Sequence, residues 1–184
     1  MDTTVRYWRI MPGAKSKHIK ECIEQEFIGG DWDFPGDLTG HLPDNWREFN
    51  KAYIPVFLEN HPDKTKVAAG LACGMLHTIC KGMPVGSRVL CPDGTGVYRV
   101  GEVMSDYCYD PSKVLPHHRK VKWFASINRS DMSQALKNSS GSIGTISALS
   151  KYAEEISELI SGRGPEVLTH TDTSIEDPSV FALE

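Results

Sequence analysis

The chain has 184 residues, 40% of them hydrophobic and 24% charged, with a formal net charge of −4. That length supports one well-formed core with an appendage. No apolar run approaches the ~18 residues of a helical membrane span, and the acidic balance excludes a broadly basic, non-specific nucleic-acid coat. A site-directed binder stays open, because positive charge gathers locally at residues 15–20 and 117–122. The N-terminus has no basic-then-apolar signal pattern, so a cytoplasmic location is expected.

Residues 5–11 read as a first strand, with Tyr7 and Arg9 on one side and Trp8 and Ile10 on the other. Pro12-Gly13 ends it. Ser16 is placed to cap a helix whose stripe is Ile19, Cys22, Ile23 and Phe27, and Gly29-Gly30 stops that helix. Asp31-Trp32-Asp33-Phe34-Pro35-Gly36 follows. Aromatics beside acids, in a segment punctuated by proline and glycine, can present an aromatic face with a carboxylate next to it. The competing reading is a tryptophan that plugs a barrel end with solvated acids alongside.

Leu42-Pro43-Asp44 opens a second helix, packed through Trp46, Phe49, Tyr53 and Phe57, which Pro55 kinks or ends. Asp63 is a candidate cap for a third helix over residues 66–81, rich in small residues that let a neighbour approach. Cys73, His77 and Cys80 share one face of it. Zinc would need a fourth ligand there and usually a loop-borne cysteine pair, so a buried helix face is the better reading. The five cysteines are odd in number and widely spaced, which points to reduced thiols.

The rest of the chain is organised around residues 86–109. Residues 87–91 and 97–104 alternate as two strands about a glycine turn at 92–96, and Tyr107 and Tyr109 follow on one side. Residues 114–119 read as a loop and 121–125 as another strand. A short helix over 134–137 and a loop over 138–142 lead to a last helix at 145–160. Its apolar stripe is Ile146, Leu149, Ala153, Ile156 and Ile160, and its wet side Glu154, Glu155 and Glu158. The polar tail from residue 166 reads as disordered or a linker, with the start of another helix at 177–184.

On these motifs the chain resembles the EVE and PUA-like β-barrel domains, relatives in shape of the YTH readers of modified bases. The matching features are Tyr7-Trp8 in the first strand, Trp32-Asp33 after the first helix, the helix and strand before the hairpin (Ala72 to Leu76, Gly86 to Leu90), and Val100-Gly101-Glu102-Val103. Together they cover about residues 5–125. The runs Tyr7 to Gly13, His61 to Lys66 and Pro178 to Glu184 further resemble the N-terminal half of bacterial restriction endonucleases in which such a reader precedes a PD-(D/E)XK nuclease.

The resemblance implies an α+β fold, a small mixed β-barrel flanked by helices with a C-terminal helix and flexible tail. It implies a base-reader domain at residues 1–126, a helical extension packed on it at 127–162, and a linker at 163–184 leading to a nuclease domain. The implied function is recognition of 5-methylcytosine, 5-hydroxymethylcytosine or N6-methyladenine in double-stranded DNA, by flipping the base into an aromatic pocket. No Glu-x-Lys triplet occurs in the chain, so no cleavage by it and no cofactor is expected.

Flipping costs a few kcal/mol, which stacking at about 1–3 kcal/mol per base offsets. Such a pocket needs aromatic walls, a polar group for the base edge and nearby cations. The candidates are Trp32 and Tyr107 as walls, Trp8 or Tyr109 as a third, and Asp33 as acceptor from an exocyclic amine. Lys15, Lys17, His117, His118 and Arg119 are the candidate phosphate contacts. An RNA-binding PUA-like domain is the alternative. A small-molecule enzyme using a cysteine or histidine is a third reading, for which no nucleophile–base spacing stands out.

Overall fold

The computed structural model describes residues 4–34, 36–141 and 145–162. The expected tail and the 177–184 helix start lie outside them. The described residues form a seven-stranded sheet in the order β2-β6-β4-β3-β1-β7, with β5 also paired to β6. The strands are β1 (Tyr7–Ile10), β2 (Phe27–Gly30), β3 (Arg88–Pro92), β4 (Val97–Val103), β5 (Cys108–Tyr109), β6 (His117–Asn128) and β7 (Ile146–Ala148). β1 runs parallel to β3 and every other pair is antiparallel. The result is a mixed α+β fold in which a curled half-barrel sheet carries helices.

The curl centres on β6. Its first residues pair with β2 and β5 through His117–Lys120, while Val121 to Asn128 pair with β4. A bulge between Val100 and Gly101 breaks the β4–β6 register, which bends a strand and adds twist. Gly101 is required there, since a Cβ would lie 2.3 Å from Val121 and 2.9 Å from the Trp123 ring.

Each face of the sheet has its own core. One side packs Tyr7, Leu90, Tyr98, Val100 and Ile127 under Leu136, Leu149 and Ile156. The other packs Ile10, Ile28, Val89, Cys91 and Val121 under Met75, Ile79 and Met83. The alternation expected for β1 therefore holds, with Tyr7 in one core and Ile10 and Trp8 at the other.

The helices α2 (Trp46–Asn60) and α3 (Lys66–His77) form a pair over the second core. Asn45 caps α2 by accepting from the Arg47 amide at 2.9 Å, and Thr65, rather than Asp63, caps α3 by accepting from the Ala68 amide at 3.1 Å. Pro55 lies inside α2, which runs on to Asn60. The small residues of α3 let Asn50 of α2 reach the Gly70 carbonyl at 3.2 Å. Cys73, His77 and Cys80 are buried, as one helix face would be. The His77 ring donates to the Pro43 carbonyl at 2.7 Å, and burial pushes the Cys73 thiol up to about 12.

Several expected boundaries are corrected. Phe27–Gly30 is a strand, so the first helix is only α1 (Ile19–Glu24), and Ser16 sits in a 3-10 turn ahead of it. The expected loop at 114–119 contains the start of β6. Asn138 to Ser140 belong to α4 (Gln134–Ser140). The expected helix at 145–160 is instead strand β7, a 3-10 turn and α5 (Ala153–Ile160). β7 pairs with β1, and Leu136, Leu149 and Ile156 pack in the first core, so these segments after residue 127 are part of the sheet and its packing. Glu155, expected in solvent, is 1% exposed and accepts from the Ser133 amide at 2.7 Å and hydroxyl at 2.6 Å.

Candidate base-binding groove

β2 ends at Gly30 and the chain turns at once through Asp31, Trp32, Asp33 and Phe34. The Phe34 amide bonds the Asp31 carbonyl at 3.1 Å, and the Asp31 side chain accepts from the Asp33 amide at 3.2 Å. Trp32 and Asp33 both have positive φ, 46° and 55°. Asp tolerates this left-handed region, but a bulky tryptophan there is an outlier. The Trp32 ring lies on Gly30, where a Cβ would fall 2.0 Å from it. It packs between the second core and the α2–α3 cluster.

A polar clamp holds the far side of this loop. His117, 0% exposed, bonds the Phe34 carbonyl through Nε2 at 3.0 Å and meets the Tyr107 hydroxyl through Nδ1 at 2.8 Å. A carbonyl only accepts, so Nε2 carries the proton and Nδ1 accepts from Tyr107. The Tyr107 oxygen in turn accepts from the Leu38 amide at 3.1 Å. Every group in the chain Leu38–Tyr107–His117–Phe34 is matched, and both ends lie in the loop that carries Trp32 and Asp33. Burial lowers the His117 pKa, against the opposing pull of the Phe34 carbonyl, which keeps the ring in the neutral form the clamp requires. Burial likewise raises the Tyr107 phenol.

Beside the loop lies a groove of about 370 Å³. Asp31, Asp33 and Phe34 form one wall, and Tyr109, Lys113 and Val114 the other. Tyr109 is fixed by its ring contact with His117, 5.2 Å between centroids. Lys113 lies 4.5 Å above the Phe27 ring and bonds Gln25 at 3.0 Å. The Asp33 carboxylate is 72% exposed and 3.5 Å from His61 Nε2, close enough to pair but not aligned as a hydrogen bond. The groove thus offers an aromatic edge, two open carboxylates and one ammonium.

Among the residues expected from the sequence, Asp33 and Tyr109 line this groove together. Trp32 and Tyr107 do not. They hold the loop from beneath, and the plugging role weighed for Trp32 is the one its packing fits. Trp8 is half-buried against the second core, its indole N–H buried without a hydrogen-bond partner, and it does not line the groove. Lys15 and Lys17 are exposed beside the 3-10 turn at Ala14–Ser16 and do not line it either.

The cluster from His117 to Arg119 is not a solvent-facing phosphate clamp. Arg119 is 2% exposed, and its guanidinium donates to the carbonyls of Ser105 at 2.6 Å, Ile79 at 3.1 Å and Met83 at 2.8 Å. Ile79 lies in the π-helical turn Thr78–Gly82 that follows α3 and Met83 is its C-cap, so Arg119 satisfies carbonyls at this helix end. His118 is 5% exposed, edge-on to Phe27, and donates to the Pro116 carbonyl at 3.1 Å. The cluster is basic in sequence because its strand must bond helix-end and loop carbonyls inside the molecule. Lys113, which sequence reasoning missed, is the cation at the groove. Its only signal was its place after the Asp110-Pro111 break.

The groove is open and bordered by charged and aromatic side chains. The chain belongs to the family described as Domain of unknown function (DUF8426), which matches residues 8–150. No curated protein matches it. Among the described residues no helix is long and apolar enough to cross a membrane, and no group of three or more His, Cys, Asp or Glu side chains is placed to hold a metal ion.

Proposed function

We propose that the chain is a reader of modified DNA bases, of EVE and PUA-like type. It would serve as the specificity domain of a modification-dependent restriction endonuclease whose nuclease domain is a separate unit. The single observation that carries this reading is the loop at Asp31 to Phe34. Two successive non-glycine residues in left-handed backbone, clamped on both sides, bring a carboxylate to the rim of a groove faced by an aromatic ring. Backbone strain of this kind costs of order 1–3 kcal/mol per residue and persists where the surroundings over-determine it, as at ligand clamps.

In this reading a base leaves the duplex stack and rests on Tyr109. Asp33 accepts from the exocyclic amine that cytosine and adenine both carry, and Lys113 approaches the flanking phosphate. Trp32, Tyr107 and His117 are positioning residues. Lys15 and Lys17 contact phosphates outside the groove. The reading gives the chain no catalytic step.

The test is a fluorescence-polarisation titration at fixed salt with duplexes that are unmodified or carry 5-methylcytosine, 5-hydroxymethylcytosine or N6-methyladenine. The native chain should prefer one modified duplex, and Asp33→Asn and Tyr109→Ala should lose that preference. Equal binding to all four would sink the modified-base reading, and displacement by RNA but not by DNA would move the domain to the RNA-binding class.

A further inference from the structure

The break after α2 brings the chain back to the loop of Trp32 and Asp33. His61 is the C-cap of α2. Its amide bonds the Phe57 carbonyl at 2.9 Å, and its carbonyl accepts from the Lys64 amide at 3.0 Å. Pro62 follows it and narrows its backbone choice. The imidazole lies against the Phe57 ring, 4.5 Å between centroids. The side chain is 21% exposed, and Nε2 is buried without a hydrogen-bond partner. The Asp33 Oδ2 oxygen stands 3.5 Å from that nitrogen.

The two partners are unequal. His61 is held by its ring contact and by its backbone, whereas the Asp33 carboxylate is open to solvent and its residue is tied through the amide, which bonds the Asp31 side chain. A small rotation of the Asp33 side chain brings Oδ2 into hydrogen-bond range of Nε2. A carboxylate only accepts, so Nε2 carries the proton in that pair. The pair occupies one oxygen and gives the other, Oδ1, a set direction. Asp33 lines the groove and His61 does not, so any effect of His61 on a ligand runs through Asp33.

We propose that His61 is a positioning residue that turns Asp33 into a discriminating acceptor. With Oδ2 held by His61, the groove takes ring edges that bring an amino group to Oδ1 and rejects edges that bring a carbonyl there. The ligand class is the amino bases, adenine and cytosine, against thymine, uracil and hypoxanthine. An amino group gives the carboxylate a charge-assisted hydrogen bond, whereas a carbonyl repels it and leaves it unpaired. Holding the carboxylate before the ligand arrives lowers the ordering cost of binding. The inference rests on the base-reading function proposed above and adds to it the group that orients the acceptor. A purely structural His61, closing α2 by packing on Phe57, would need the ring but not its N–H.

The experiment compares two duplexes at fixed salt. One is the modified duplex that the native chain binds best. The other carries the deaminated, keto counterpart of that base, and in both the base stands opposite an abasic site so that neither is paired. The native chain should favour the amino base by about tenfold or more. His61→Phe, which keeps a ring on Phe57, should bring the ratio close to unity. His61→Gln, whose amide can donate in place of Nε2, should restore most of it. Asp33→Asn should also relax the ratio, and adding His61→Phe to it should change little further, because both act on one contact. A ratio unchanged in His61→Phe, or losses that multiply in the double variant, overturns the positioning role and leaves the base-reading function standing. A native chain with no preference for any modified duplex overturns that function and this inference with it. The unliganded chain gives an independent check. Imidazole nitrogen NMR should place the His61 proton on Nε2, and Asp33→Asn should shift that resonance. An unmoved resonance overturns the pair, even where His61→Phe fails to fold.

Discussion

The two ends of β6 use the same kinds of side chain for opposite purposes. At the His117 end, two histidines and an arginine are buried, and their polar groups bond carbonyls and a phenol inside the molecule. At the Asn128 end, Arg99, Arg129 and Lys137 border open hollows. The first end turns its cations inward onto the backbone, and the second leaves them at the surface. Charge in a sequence therefore does not mark a binding surface by itself. What decides is whether nearby backbone leaves carbonyls that the cation must satisfy, as the π-helical end of α3 does for Arg119.

The largest expected effect breaks the buried end. Arg119→Met leaves three carbonyls without their donor, and at ~1–3 kcal/mol for each unsatisfied buried group should destabilise the fold by about 3 kcal/mol or more in urea unfolding. Asn128→Ala at the open end should stay within about 0.5 kcal/mol of native. Equal losses at both ends would erase the distinction.

Gly30→Ala comes next. The new methyl group meets the Trp32 ring at 2.0 Å, and overpacking of this kind costs about 1–3 kcal/mol. The tryptophan emission should shift to the red as the ring is displaced, and base-dependent binding should fall with it.

Mild acid should act first through the buried histidines. Burial lowers the pKa of His77, His117 and His118, so the unfolded chain binds more protons once pH drops below the ordinary histidine value of about 6.5. The stability these neutral rings contribute is fully present above that value and is lost as pH falls through it toward their folded pKa values. Tm should be flat from pH 8 to 7 and decline toward pH 5.5, with a shallower decline in His118→Gln. Tyr107→Phe comes last. It removes the donor to His117 and the acceptor for the Leu38 amide, costs about 1 kcal/mol, and should speed amide exchange at Leu38 more than at Arg129.

Much of this molecule was legible in the sequence. The hairpin of β3 and β4, the alternation in β1 and the helices α2 and α3 follow from periodicity and turn chemistry. β2 was not, because four residues ending in Gly-Gly read equally as a helix stop, and only pairing with β6 makes them a strand. β7 was hidden because Ile146, Leu149 and Ala153 fit a helical stripe as well as a strand and a turn. Asp33 and Tyr109, expected from the sequence because acids and aromatics stand there at breaks in regular structure, line one groove. The roles of Tyr107, His117 and Arg119 depend on carbonyls from segments distant in the chain, and no local pattern carries that information.

The most direct test of the central claim asks whether the base leaves the stack. The duplex bound most tightly is synthesised with 2-aminopurine next to the modified base, and its fluorescence is followed as the chain is added. The account predicts brightening on saturation with the native chain and none with Tyr109→Ala at the same occupancy. Saturated binding without brightening would show that the base stays stacked, and would contradict the role given to the loop of Trp32 and Asp33.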